Sequence, residues 1–139
     1  MAKQRTKLRH IAISVQDVAK AQKFFEDAFG MTKAGDAGRG VFMTDGTINV
    51  ALLDYKGGKI LGVNHDGPFY GTIHFGMWVD DLEHAAAQVT QAGATYVLDK
   101  PRAAVNSDYE VKFRDPSGMV FDLSASGWKG AVKNVKPAD

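Results

Sequence analysis

The segment His10-Ile-Ala-Ile-Ser-Val-Gln-Asp-Val-Ala-Lys-Ala aligns without a gap on His74-Phe-Gly-Met-Trp-Val-Asp-Asp-Leu-Glu-His-Ala, pairing His10 with His74, Val15 with Val79, Asp17 with Asp81 and Ala21 with Ala85. Repetition of this kind means one supersecondary unit built twice, whose equivalent strands meet around a pseudo-twofold axis. A chain of 139 residues, 45% of them apolar, supports one core shared by both copies and is too short for two separate cores. The expected organisation is a single domain, 1–139, of two modules at about 8–55 and 72–125, with a connector at 56–71 and a tail at 126–139.

Apolar spacing gives each module the pattern βαβββ. From Leu8 to Val15 the residues Ile11, Ile13 and Val15 alternate with His10, Ala12 and Ser14, as in a half-buried strand. Asp17 then caps a helix with the stripe Val18, Ala21, Phe25, Ala28 and Phe29, which Gly30 ends. Strands are expected near Val41–Thr44 and Thr47–Leu53 around the turn Asp45-Gly46, with one more hidden around Met31–Ala34. Five glycines and Pro68 mark the connector. The pattern then restarts with a strand at Thr72–Val79 and a helix capped by Asp81, carrying Leu82, Ala85, Ala86, Val89 and Ala92 and ended by Gly93. Strands near Thr95–Leu98, Tyr109–Arg114 and Met119–Ser124 complete the second module, the last two joined by Asp115-Pro116-Ser117-Gly118. In the tail, Trp128 is expected to pack on the body or on a partner subunit, and the last residues to fray.

Composition narrows the function. A net charge of +1 with acids and bases interspersed leaves no footprint for nucleic acid or an anionic membrane, and the basic start Lys3, Arg5, Lys7, Arg9 reads as a solvated face. The absence of cysteine removes disulfides and thiol catalysis and fits a reducing cytoplasm. No apolar run spans a bilayer, and the polar start is unlike a signal peptide.

Strand parity then singles out a constellation. In the last strand Met119, Phe121 and Leu123 form the apolar set that packs beneath a helix, leaving Val120, Asp122 and Ser124 on the face that carries His10 and His74 in their own strands. Two imidazoles and one carboxylate on the concave side of a curved sheet make the ligand set of a facial triad, with about three positions left for substrate, water or dioxygen. Such donors suit Fe(II), Mn(II), Ni(II) or Zn(II). In the matching strand of the first module Ile48, Val50 and Leu52 are the apolar set, so Ala51 stands where Asp122 stands in the second and supplies no fourth ligand. Asn49, one pleat away, is either a substrate contact or an exposed strand amide. Taken alone, a strand histidine is more often structural than ligating. His84 reads as solvent-exposed, His65 and Phe69 as loop and packing residues.

The motifs together resemble those of the vicinal oxygen chelate superfamily, which includes glyoxalase I, extradiol dioxygenases, fosfomycin-resistance transferases and bleomycin-resistance binding proteins. The likeness runs from Leu8 to Ser124 and rests on His10, on Phe24-Phe25-x-x-x-Phe29-Gly30-Met31, on His74-Phe75-x-x-x-Val79-Asp80-Asp81, and on Asp115-Pro116-Ser117-Gly118-x-x-x-Asp122-Leu123. It implies an α+β fold with two βαβββ modules forming a cupped mixed sheet and helices outside. By position it makes His10, His74 and Asp122 metal ligands, with aspartate where the family usually has glutamate. Ala51 replaces the second glutamate of glyoxalase I, so the three-ligand pattern is nearer the extradiol dioxygenases and the fosfomycin-type transferases.

The resemblance therefore implies an enzyme that uses one divalent metal ion, Fe(II) first and Mn(II), Ni(II) or Zn(II) as alternatives, on a small substrate with two neighbouring oxygens. A dioxygenase heads the readings, followed by a lyase, isomerase or transferase using the same metal. A metal-free drug-binding protein of the bleomycin-resistance type is the alternative outside enzymes, and the ligand trio speaks against it. Candidate catalytic residues are Tyr109 and Arg114; candidate substrate contacts are Asn49, Trp78 and Lys112, with Tyr70 a further possibility. The fold-level analogy implies a homodimer.

Overall fold

The computed structural model describes residues 5–101 and 109–135, with side chains described through 98 and again from 110. Eight strands and two helices follow in the order β1 (Lys7–Ser14), α1 (Val18–Phe29), β2 (Thr32–Asp36), β3 (Gly40–Thr44), β4 (Asn49–Leu53), β5 (Gly71–Trp78), α2 (Leu82–Gln91), β6 (Thr95–Pro101), β7 (Tyr109–Arg114) and β8 (Val120–Ser124). They form one mixed sheet in the spatial order β2-β3-β4-β1-β5-β8-β7-β6. Each half therefore has its first strand at the centre, paired in parallel with its own last strand, and the halves join along the antiparallel pair β1 and β5. The expected α+β fold of cupped sheet and outer helices is the one observed, and the hidden strand is β2.

Local chemistry sets the ends of these elements. Asp17 and Asp81, both in extended conformation, accept hydrogen bonds from the backbone N–H groups of Lys20 and His84, satisfying helix donors that have no partner within the helix. Gly30 closes α1 with φ of 67°, a left-handed cap that costs glycine no Cβ clash. The second helix is capped by Ala92 in ordinary helical conformation, and Gly93, expected to end it, follows with φ of 113°.

Two apolar layers cover the outer face. Val41, Met43, Val50 and Leu52 meet Val18, Ala21 and Phe25 of α1, while Val111, Phe113, Phe121 and Leu123 meet Leu82, Ala85, Ala86 and Val89 of α2. Met119, assigned to the second layer by parity, is instead exposed in the turn before β8. A third cluster fills the cup itself: Ala12, Phe42, Ala51, Leu53 and Ile73 pack with Ile60 of the connector, flanked by Tyr55, Val63 and Phe69. The connector thus folds into the concavity, because the cup face of the first half is apolar and has no helix of its own to cover it.

The tail completes the cover. Val132 N–H donates to Thr47 O, Thr44 Oγ1 to Gly130 O, and Asn49 Nδ2 to Lys129 O. The Arg9 guanidinium, expected on a solvated face, donates to the carbonyls of Val132 and Lys133, and Lys133 pairs with Asp80. Trp128 is buried against the body, while the last four residues, expected to fray, lie outside the described set. Among the described residues no helix is long and apolar enough to cross a membrane.

Candidate metal centre

The register of the central pair explains why the two histidines meet. Ile11 pairs with Phe75, His10 with Gly76 and Ala12 with His74, so the pseudo-twofold axis passes through the Ile11–Phe75 pair and each histidine lies one residue from it. On either side the register slips by one residue, leaving Arg9 extra on β1 and Ile73 extra on β5. These bulges are themselves equivalent, and each comes immediately before its histidine; bulges of this kind re-aim side chains and bend a strand. Parallel pairing of β8 with β5 then sets Asp122 beside Gly76, just as β4 sets Ala51 beside Ala12.

Three ligand atoms converge as a result. His10 Nε2 and His74 Nε2 are 3.2 Å apart, His74 Nε2 is 3.2 Å from Asp122 Oδ2, and His10 Nε2 is 3.8 Å from the same oxygen. Metal bonds of about 2.0–2.2 Å put neighbouring donors of one coordination sphere roughly 3.0–3.5 Å apart, so this triangle fits a single divalent ion with little adjustment. Among the described residues, it is the cluster of histidine and carboxylate groups whose ligand atoms all lie within 4.8 Å of one another.

Two of the three candidate ligands, His10 and Asp122, are held from behind. Asn49 sits beside His10 in the parallel register, and its Oδ1 is 2.7 Å from His10 Nδ1. Because Asn49 Nδ2 donates to Lys129 O, the amide presents oxygen to the ring, so His10 carries its proton on Nδ1 and aims a bare Nε2 into the triangle. Burial first, and the nearby His74 second, lower the His10 pKa from 6.5 to about 3, outweighing the opposite pull of Asp122. The Lys112 ammonium, directly across the β7–β8 pair, lies 2.5 Å from Asp122 Oδ1. Among the described residues no hydrogen-bond donor is aligned on the buried Oδ2, so this oxygen is open to a cation. Burial pushes the Asp122 carboxyl up, but the neighbouring His74 and Lys112 outweigh it and hold the group below the ordinary carboxylate range.

The face read from sequence as an open cleft is the more deeply buried face of β1: His10, Ala12 and Ser14 are buried, while Ile11 and Ile13 are only half-buried. Connector and tail account for this. Side-chain exposure is 4% for His10, 12% for His74 and nil for Asp122, so His74 is the most accessible ligand.

The other candidates divide. Asn49 and Lys112 reach the triad through His10 and Asp122, and both are buried. Trp78 shares the parity of His74 but donates Nε1–H to Ala125 O and packs over Gly127, so it braces the turn that begins the tail. Arg114 lies opposite Val120 on the same face of β7, half-buried and without a described hydrogen bond to the triad. The Tyr109 backbone pairs with Pro101 in β7, and its side chain is outside the described set. Tyr70 and His65 are exposed, His65 with its ring against Phe69, and His84 is half-buried.

Three residues not singled out for the site also matter. Trp128 stacks on His10 with ring centroids 4.8 Å apart and planes 9° from parallel. Glu110 is buried on the cup face and accepts from Trp128 Nε1 at 3.3 Å. Tyr55 flanks the connector cluster close enough to feel the charges of Asp122 and Glu110, and burial, the larger effect, raises its pKa. Parity signalled Glu110, since Val111 and Phe113 form the apolar set of β7; no periodicity signalled Trp128.

Comparison with known proteins agrees with this fold. A Mn(II)-bound glyoxalase from Novosphingobium aromaticivorans superposes with a TM-score of 0.68 at 18% identity, covering 96% of this chain and 44% of that one. A hypothetical protein from Bacillus halodurans C-125 gives 0.64 at 16% identity, covering 96% of this chain and 98% of that one. Homoprotocatechuate 2,3-dioxygenase from Brevibacterium fuscum, in complex with 3,4-dihydroxyphenylacetate, gives 0.64 at 15% identity, covering 88% of this chain and 37% of that one. The chain spans less than half of the glyoxalase and dioxygenase chains, and at these identities the likeness is one of fold. Comparison with curated proteins gives no match. A family model matches residues 7–123, and the chain belongs to the Glyoxalase/Bleomycin resistance protein/Dioxygenase superfamily.

Proposed function

We propose that this protein is a metal-dependent enzyme that acts on a small substrate bearing two neighbouring oxygens, and that its reaction is a dioxygenase reaction on a catecholate-like or enediol compound. One observation carries the reading: Asp122 Oδ2, buried and without an aligned donor among the described residues, faces the bare Nε2 of His10 and the Nε2 of His74. Lys112 offsets the charge of Asp122 at Oδ1, so a divalent ion held there keeps its charge to act as a Lewis acid toward an anionic pair of oxygens. Asn49 fixes the tautomer of His10, Lys112 turns Oδ2 toward the histidines, and the connector and Trp128 keep bulk water from the ligands. Ala51, beside Ala12 where Asp122 is beside Gly76, leaves the ion with three protein ligands, which supports a reaction needing open positions for two substrate oxygens and dioxygen.

Glu110 supports the second reading, a lyase or isomerase of the same metal, because it brings another buried carboxylate to the cup face for proton transfer. Metal analysis of freshly purified protein followed by oxygen-uptake measurements across a set of catechols separates the two. The dioxygenase reading expects uptake that disappears in His74→Ala. Full metal occupancy with no uptake on any catechol would overturn it in favour of the second.

A further inference from the structure

We propose that the segment Ser126–Val135 is a clamp on the first metal ligand, with Trp128 and the Lys129 carbonyl acting as positioning elements that set the ring plane and tautomer of His10. The proposal rests on the reading of His10, His74 and Asp122 as a metal site. Both elements act on His10: the indole lies flat on the imidazole, and the Lys129 carbonyl holds the amide whose oxygen faces Nδ1. Without that carbonyl the Asn49 amide is free to turn over and present its NH2 group, which favours the tautomer with its proton on Nε2, the nitrogen aimed at the triangle.

The slot for the indole is built into the sheet. Position 76 is glycine where its symmetry mate, position 12, is alanine. A Cβ at Gly76 would lie 2.6 Å and 2.8 Å from atoms of the Trp128 ring and 2.8 Å from His10 Cβ. The missing methyl therefore makes room for tail and ligand together. Glu110 anchors the indole at Nε1, and Arg9 ties the tail down at Val132 and Lys133. Among the described residues nothing equivalent serves His74, since the register that gives His10 its Asn49 gives His74 no amide: its counterpart position is Val120.

The test uses Mn(II) alone, titrated calorimetrically into metal-free full-length protein, with nitrogen-15 NMR of the His10 ring as the readout that packing alone would not move. The parent is expected to bind one Mn(II) and to show His10 protonated on Nδ1. Trp128→Ala is expected to bind about 10 to 100 times more weakly and to show mixed tautomers, while Trp128→Phe, which keeps a stacked ring, recovers most of the affinity. Should Trp128→Ala fail to fold, Arg9→Ala loosens the tail from the surface and is expected to weaken binding several-fold, with the same spectral change. Affinity and tautomer unchanged in a folded Trp128→Ala, or in Arg9→Ala if it alone folds, overturn the clamp while leaving the metal site intact. A parent that binds no Mn(II), or binds it equally well as His74→Ala, overturns the metal site and the clamp with it.

Discussion

His10 and His74 are each preceded by a bulge and stand one residue from the same axis, yet their surroundings differ in kind. His10 is enclosed by Asn49, Trp128 and the slot at Gly76, whereas His74 has Ala12 across from it and three times the side-chain exposure. Among the described residues only the second half brings a carboxylate to the triangle, Asp122; the first has Ala51 in an apolar cluster. Duplication places two equivalent backbones, and the residues that fill the cup then assign unequal work: one ligand fixed in advance, the other nearer to solvent and freer to adjust. Under the proposed function, that division would hold an ion firmly and still admit a substrate.

Removing Asp122 is the strongest way to test the asymmetry between the halves. In Asp122→Ala the Lys112 ammonium, whose side chain is 6% exposed, is left buried without its carboxylate. Stranding one partner of a buried pair costs about 3–5 kcal/mol, and the variant is expected to lose Mn(II) binding as well. Urea unfolding measures the first effect, and pairing the change with Lys112→Met should recover most of the lost stability. A loss below about 1 kcal/mol would show that the ion pair behaves like a surface contact and that the second half is not organised around it.

Acid should separate the halves next. The unfolded chain protonates His10 below about 6.5, whereas the folded chain does so only near 3, so between these values the unfolded state binds more protons and stability rises with pH. This contribution is complete above about 6.5 and is lost as pH falls toward 3. Asp122, held below its ordinary 3.8, acts in the same direction but only under more acidic conditions. Metal-free protein should therefore weaken steadily from pH 6.5 downward, and His10→Asn should flatten the decline relative to the parent. An identical pH slope in that variant would place the acid sensitivity outside the first half.

Much of this was legible in the chain because strands obey parity. The gapless match of His10–Ala21 on His74–Ala85 predicts the axis, and the apolar sets around Asp122 and Ala51 predict which side chains share a face. The cover over that face was not legible. Ile60 and Val63 sit in a glycine-rich stretch with no period, and the expectation that Trp128 packs on the body carries no sign that it lands on His10. The bulges at Arg9 and Ile73 were equally hidden, since a one-residue slip leaves no mark until both strands are paired. Asn49 shows the consequence: read alone it is an exposed strand amide or a substrate contact, and only the tail carbonyl reveals that both ends of the amide are engaged.

The smallest expected effect tests where the halves remain alike. Asp17 and Asp81 share their backbone geometry, with φ and ψ of −140° and 108° against −134° and 115°, and each accepts one hydrogen bond of 3.0 Å from the residue three positions on. Replacing either by alanine leaves helix N–H groups to water and should cost about 1 kcal/mol, measured by urea unfolding of each variant against the parent. The first turns differ: α2 carries Glu83, and α1 has no acid there. A carboxylate near a helix N-terminus is worth a few tenths of a kcal/mol, so Asp81→Ala should be the milder change by about that amount. If Asp81→Ala instead costs more than Asp17→Ala by over about 1 kcal/mol, the start of α2 is held by more than its cap. The asymmetry seen at the histidines would then extend outward to the helices, instead of being confined to what fills the cup.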